Sequence, residues 1–349
     1  MNTTKKDIRA LSKEELRTFF TTNGDKAFRG TQVYEWLWQK GAHHFDDMTN
    51  LSKETRQMMD DSFSINHIKV DSMQRSSDGT IKNGIRLHDG MIVESVLIPT
   101  AKRSTACVSS QVGCSLDCKF CATSQLDRMR NLNVDEIFDQ VVAIDQQSKT
   151  YFNIPLSNIV FMGMGEPLMN YNNVLGAIEK ITSPEGLGMA SKRITLSTSG
   201  IPKLIRKMAD DGVKFNLAVS LHSAIQETRE KIMPFSKKFP VEDLLSSLEY
   251  WYEATQKMVT IEFIVWKGIN DNLDEVRALI NFCRKFQSKV NLIEYNPIGD
   301  DTFEQASKEA MSMYQKKLTS ARITNTIRRS RGKDIDAACG QLANKAHKN

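Results

Sequence analysis

The amino-acid sequence predicts an α/β fold, a partial (βα)6 TIM-like barrel with an N-terminal helical accessory unit and a small β linker ahead of it. From about residue 104 onward, strand-like runs alternate with helical stretches, the pattern of repeated βα units around a parallel sheet. Gly163, Gly165, Glu166, Ser197, Ser220, His222 and Asn296 all fall where these strands end. A barrel can gather ligands for one central site from every strand end, which favours it over a doubly wound sheet.

Residues 1–65 read as the helical unit. Ser12-Lys-Glu-Glu-Leu has the form of a capped helix start, and Val33, Trp36 and Leu37 share a helical face. Residues 66–103 read as an antiparallel linker, because alternating runs are divided by Ser77-Asp-Gly and His88-Asp-Gly turns. Residues 104–349 hold the barrel and a C-terminal segment. The expected strands are 104–110, 157–162, 193–198, 215–221, 258–265 and 289–295. The expected helices are Val134–Gln147, Tyr171–Thr182, Ile201–Asp211, Val241–Thr255 and Leu273–Phe286.

At 349 residues the chain can bury a large core, and Lys plus Arg exceed Asp plus Glu by only five (47 minus 42). The excess is unevenly placed. Lys102-Arg103, Arg128 and Arg130 flank a group of cysteines, while Arg328-Arg329-Ser-Arg331-Gly-Lys333, Lys345 and Lys348 surround the last one. Most basic runs are solvated faces, but beside a reactive site they suit a polyanionic substrate such as nucleic acid. The polar N-terminus and the lack of an apolar run of bilayer length predict a cytoplasmic protein with no membrane span.

The six cysteines are Cys107, Cys114, Cys118, Cys121, Cys283 and Cys339. Cys114, Cys118 and Cys121 form a C-x3-C-x2-C run just after the first barrel strand, and three soft thiolates there suit an iron-sulfur cluster or zinc. Zinc usually takes a fourth Cys or His at finger-like spacing, and none of His43, His44, His67, His88, His222 and His347 supplies it. A cluster held by three cysteines keeps one iron open for a substrate. Cys283 reads as an apolar filler on its helix. Positive charge around Cys339 favours its thiolate, a good methyl acceptor from a sulfonium.

With Phe120 before the last cysteine, the run resembles the signature of the radical S-adenosylmethionine (SAM) enzymes. Val93-Glu-Ser-Val-Leu-Ile-Pro99, Phe161-Met-Gly-Met-Gly-Glu-Pro-Leu168, Leu196-Ser-Thr-Ser-Gly200, Ser220-Leu-His222 and Gly332-Lys-Asp-Ile-Asp-Ala-Ala-Cys339 extend the likeness. Over nearly the whole chain the sequence is similar to the RlmN/Cfr family of radical SAM RNA methyltransferases. That resemblance implies a 4Fe-4S cluster on Cys114, Cys118 and Cys121. It also implies two SAM molecules per turnover, one as methyl donor and one as radical source. The implied reaction is methylation of adenine carbon 2 in 23S rRNA and in the anticodon loop of some tRNAs.

By the same likeness Cys339 carries the methyl group as S-methylcysteine, and its methylene radical adds to the adenine. Cys107 then releases the protein–RNA adduct, leaving a Cys107–Cys339 disulfide for reduction. Glu94 matches the proton acceptor. Gly165 and Glu166 match contacts to the SAM amino group, and Ser197, Ser220, Leu221, His222 and Asn296 match contacts to the rest of SAM. The resemblance further implies a monomer, a flavodoxin- or ferredoxin-type electron donor, and an N-terminal unit that helps hold RNA. The target base must leave its stack to reach the barrel centre.

Three other readings compete. Cfr-type methylation would fall on carbon 8, but Pro167 and Arg329-Ser-Arg331-Gly look more like the RlmN type. A noncatalytic iron-sulfur RNA-binding protein would leave Cys107, Cys339 and the Gly165-Glu166 pair unexplained. A radical enzyme acting on a small molecule or protein would have no use for the helical unit and the basic C-terminus.

Overall fold

The computed structural model describes residues 5–299 and 302–344; Lys345 and Lys348 of the basic tail lie outside them. The chain begins with α1 (Lys13–Thr22), α2 (Phe28–Trp38) and α3 (Lys53–Ser62). Ser12 and Glu15 close the expected capping box, each side chain accepting the other's backbone N–H. The buried stripe of α2 is Val33, Tyr34, Leu37 and Trp38. Trp36, expected on that stripe, is half-buried at its margin and donates its indole N–H to Asn50.

Ten strands form one sheet in strict chain order. They are β1 (Lys69–Arg75), β2 (Ile81–Arg86), β3 (Ile92–Pro99), β4 (Ser104–Cys107), β5 (Asn158–Phe161), β6 (Ile194–Thr198), β7 (Asn216–Ser220), β8 (Val259–Val265), β9 (Ser288–Glu294) and β10 (Thr324–Arg328). Strands β1 to β4 pair antiparallel, so the linker strands are hydrogen-bonded onto the edge of the barrel sheet. From β4 to β10 every pairing is parallel.

The helices α4 (Val134–Phe152), α5 (Tyr171–Thr182), α6 (Pro202–Asp210), α7 (Gln226–Ile232), α8 (Val241–Thr255), α9 (Leu273–Cys283) and α10 (Lys308–Ser320) alternate with these strands. The six expected strands are joined by a seventh parallel one, β10. Its Thr-Asn-Thr-Ile-Arg sequence carries a single apolar side chain, which is enough for an edge strand covered on one face only. The polar helices α7 and α10 were likewise outside the expected set, whereas α4 runs five residues beyond Gln147.

The helical unit docks on α4 and α5. Trp38 meets Phe138 edge-on at 5.1 Å, and Lys180 Nζ donates to the Tyr34 hydroxyl at 2.6 Å. Buried Arg9 bridges Asp139 at 2.8 Å and Asp135 at 3.2 Å. Among the described residues, no helix is long and apolar enough to cross a membrane.

An open sheet of ten strands leaves β1 and β10 unpaired on their outer edges, yet the fold curls until the two ends meet. Polar contacts make that closure. Arg331 Nη2 donates to the carbonyls of Asp78 at 2.6 Å and Pro99 at 3.1 Å, and the Gly332 amide donates to Asp78 Oδ2 at 2.9 Å. The Ser77 amide and Ser76 hydroxyl donate to Asp334. Gly332 has φ +67°, and a Cβ there would lie 2.7 Å from that of Ala337, so the crossing needs glycine.

Partial burial works against the Asp78 carboxylate, but bonds from Thr80 and the Gly332 amide and the charge of Arg331 hold its pKa down at about 2. A depressed carboxylate pKa gives stability that is present above the unfolded value and lost as pH falls through the folded one. The latch is therefore expected to loosen between about pH 4 and pH 2. Hydrogen exchange at Gly332, corrected for intrinsic pH dependence, should show lost protection in that window, and Asp78→Asn should show it already at neutral pH.

Candidate active site

The loop after β4 carries Cys114, Cys118 and Cys121, and it is fastened from three sides. Ser124 Oγ donates to the carbonyls of Cys118 at 2.5 Å and Cys121 at 2.7 Å, curling the loop on itself. Asp117 accepts the Phe235 amide at 2.7 Å, and the Lys119 amide donates to the Ile232 carbonyl, which ties the loop to α7 and the turn after it. Phe120 packs edge-on against His222 at 4.7 Å and tilts against Trp266 at 5.3 Å. An apolar cluster of Leu116, Ile232, Phe235, Ile264 and Trp266 surrounds the sulfurs, separate from the main core.

Cys107, Cys114, Cys118, Cys121 and Cys339 all line one cavity of about 220 Å³, together with Gly165, Glu166, Ser197, Ser220 and His222. Burial raises the thiols of Cys107 and Cys114 to about 12 and pushes those of Cys118 and Cys121 up as well. Thiols held this way need a cation to take them as thiolates. Among the described residues no three Cys, His, Asp or Glu side chains converge closely enough for a single metal ion. The three cysteines nevertheless feel one another's charge, as ligands spread around a larger group would.

Gly163 and Gly165 lie against the strand leading into the cysteine loop. A Cβ on Gly163 would sit 2.7 Å from Val108 O; one on Gly165, at φ +92°, would sit 2.5 Å from Gln111 Cβ. The neighbouring Glu166 is buried, with its carboxylate accepting the amides of Leu168 at 3.1 Å and Ser199 at 2.8 Å. Burial raises its pKa and these bonds oppose the rise.

His222 adopts φ +59° and accepts the Ile264 amide on Nδ1 at 3.1 Å. Burial, with Arg229 nearby, lowers its pKa to about 3, so the ring is neutral and carries its proton on Nε2. Buried Arg229, absent from the expected site, links the ends of β6 and β7 by donating to the carbonyls of Ser199, Ser220 and Leu221. Leu221 is fully buried and, like Asn296, is not part of the cavity lining. Asn296 holds the Cys339 carbonyl at 3.2 Å through Nδ2, while its buried Oδ1 has no hydrogen-bond partner among the described residues.

The C-terminal segment is strapped directly to the cysteine loop. Ala122 donates its amide to the Gly340 carbonyl at 2.7 Å, and Thr123 Oγ1 donates to the Leu342 carbonyl at 2.6 Å. Cys339 is open to solvent in the cavity, and Cys107 faces the same space; both are free thiols. The protein packed around Cys339 raises its thiol, and only Arg328, with a minor backbone bond, pulls the other way. The expected effect of positive charge on Cys339 is therefore present through Arg328, and the desolvation of the cavity works against it. Of those basic residues, Arg328 reaches it, while Arg331 and Lys333 turn to Asp78 and Glu294.

Glu94 lies outside the cavity lining. Its Oε2 accepts the amides of Ala343 at 2.8 Å and Asn344 at 3.1 Å, and Lys82 stands 3.5 Å from its Oε1. In this structure it anchors the end of the segment that carries Cys339. Glu262, missed in the sequence reading, does line the cavity; its signal was a lone charge in the seven-residue run Val259–Val265.

These features have counterparts in known proteins. A model of the ribosomal RNA large subunit methyltransferase N-terminal domain matches residues 6–65, and one of the radical SAM superfamily matches residues 108–283. Over 342 residues the chain is 70% identical to the probable dual-specificity RNA methyltransferase RlmN of Christiangramia forsetii, covering 98% of this chain and 97% of that one. The chain belongs to the RlmN family of radical SAM RNA methyltransferases. The RlmN of Geotalea uraniireducens is 40% identical over 346 residues, covering 99% and 98% of the two chains. A crystal structure of a radical SAM methyltransferase from Sphaerobacter thermophilus matches with a TM-score of 0.90 at 33% identity, over 97% of this chain and 99% of that one.

The family's 4Fe-4S cluster and SAM suit the residues present. Three soft donors and the buried Glu166 carboxylate line the same cavity. Cys118→Ala is expected to cut the iron and sulfide bound after anaerobic reconstitution to a small fraction of wild type. Far-UV circular dichroism should stay unchanged; full iron loading of that variant would remove Cys118 from the ligand set.

Proposed function

We propose that this RlmN-family enzyme methylates carbon 2 of adenine in 23S rRNA and in the anticodon loop of some tRNAs, with Cys339 carrying the methyl group. The observation that supports this reading is the meeting of Cys339 and Cys107 in one cavity with Cys114, Cys118 and Cys121. The cysteine loop and the segment bearing Cys339 are hydrogen-bonded to each other, so their relative placement is held by backbone and not by long side chains. When bound, the cluster with SAM supplies a radical able to take hydrogen from an S-methyl group.

In this reading Cys339 acts first as a nucleophile: its sulfur forms a bond to the SAM methyl as the methyl–sulfonium bond breaks. A second SAM molecule is then used for the radical step. Cys107 acts last: after the adduct has lost an electron and a proton, the Cys107 sulfur attacks Cys339 Sγ to form a disulfide, the carbon–sulfur bond breaks with its electron pair left on the carbon, and a proton taken up there completes the methyl group. Glu94 accepts a proton in this reading only after the Ala343 and Asn344 amides shift from it, so we assign it first to positioning Cys339. The helical unit would hold RNA, and a flavodoxin- or ferredoxin-type protein would supply electrons to a cytoplasmic monomer.

Mass-spectrometric mapping of rRNA and tRNA from cells with and without the gene tests the reaction. The expected difference is one methyl on carbon 2 of a single 23S rRNA adenine and of an anticodon-loop adenine; a methyl on carbon 8 would overturn the assigned position. Cys107→Ala is expected to accumulate a covalent protein–RNA adduct through Cys339. Recovery of only free methylated RNA from that variant would take Cys107 out of the release step.

A further inference from the structure

Two buried carboxylates, Glu166 and Glu262, line the cavity. Glu166 stands with the cluster cysteines, sharing charge interactions with Cys114 and Cys118. Glu262 lines the same cavity as Cys339, Cys107 and Arg328, and Arg328 Nη1 lies 3.4 Å from its Oε1. Glu262 is 4% exposed and is the sole charge on β8, whose every residue is buried. A carboxylate in such a strand is costly and persists only with partners.

One of its oxygens has them: Oε1 accepts Asn291 Nδ2 at 2.9 Å and lies 3.4 Å from Arg328 Nη1. The other, Oε2, is buried and meets no hydrogen-bond donor among the described residues. Asn291 lies directly across from Glu262 in the β8–β9 register, so the side chain is held from its flank with Oε2 left over. An acceptor fixed beside the sulfurs that would carry and release the methyl group calls for a substrate N–H or O–H.

We propose that Glu262 Oε2 accepts a hydrogen bond from the 6-amino group of the flipped target adenine, making Glu262 a specificity-determining residue of the methyl-transfer site. This rests on the adenine reading above. The 6-amino group is a donor on the base edge, whereas inosine and guanosine present a 6-oxo acceptor there that would face the carboxylate oxygen across the same gap. A site built around a fixed acceptor rejects a base without the donor, because the buried oxygen then stays unpaired.

The test uses reconstituted enzyme and the rRNA fragment methylated in the mapping experiment. The fragment is synthesised with adenosine, purine riboside (adenosine lacking the 6-amino group) or inosine at the target position. Single-turnover methylation by wild type should favour adenosine over purine riboside by about tenfold or more. In Glu262→Ala that ratio should fall by about the same factor. The two bases differ in intrinsic reactivity, but that difference cancels when the ratio is compared between enzymes.

Glu262→Gln keeps an oxygen for Asn291 and offers an amide N–H to the base, so it should shift preference from adenosine toward inosine. Iron content should match wild type in both variants, and each rate is normalised to the fraction of Cys339 that is S-methylated, measured by mass spectrometry. An adenosine preference unchanged in both variants would overturn the proposal. So would a raised KM for SAM with unchanged base preference, which would place Oε2 on the cofactor. If wild type methylates no adenine at all, the functional reading itself falls and the proposal with it.

Discussion

The site depends on a polar closure that joins the two edges of an open sheet. Strands in strict chain order put β1 and β10 at opposite ends, and nothing in backbone pairing brings them together. Arg331, Gly332 and Asp334 do so by bonding to Asp78, Ser76, Ser77 and Pro99. Once the chain has crossed there, the next residues run over the cavity mouth, and Cys339 lies beside a cysteine loop more than two hundred residues earlier in sequence. Without that crossing the chain would have a radical-generating loop and a distant thiol.

The crossing is continued by main-chain contacts. Gly340 and Leu342 accept bonds from Ala122 and Thr123, and the amides of Ala343 and Asn344 end on Glu94. Carbonyls and amides have far fewer degrees of freedom than long side chains, so the geometry they set is tight. The segment is short and adds only small side chains and Leu342 to the core, so these bonds share its placement with modest packing and it can move if they break. An enzyme that would form and release a bond between Cys339 and a large RNA needs both properties.

Electrostatics sort the cavity in the same way. Its thiols are raised by burial, its two carboxylates are held by neighbouring amides, and its histidine is neutral. Three arginines, Arg328, Arg329 and Arg331, also line the cavity, all from the segment that leads to Cys339.

The sequence by itself determined the barrel and the cysteine triplet. Repeated apolar strands and amphipathic helices are local patterns, and C-x3-C-x2-C with Phe120 is contained in eight residues, so neither needs a distant contact to be read. Edge strand β10 and the polar helix α7 escaped because their burial is one-sided or comes from neighbours. Tertiary structure alone decided that Arg328, and not the basic run as a whole, faces Cys339; that Glu94 holds the C-terminal segment; and that Glu262 is aligned with Asn291 beside the reactive sulfurs. Each of these is a relation between residues tens to hundreds of positions apart, set by sheet register and chain crossing, which no local pattern encodes.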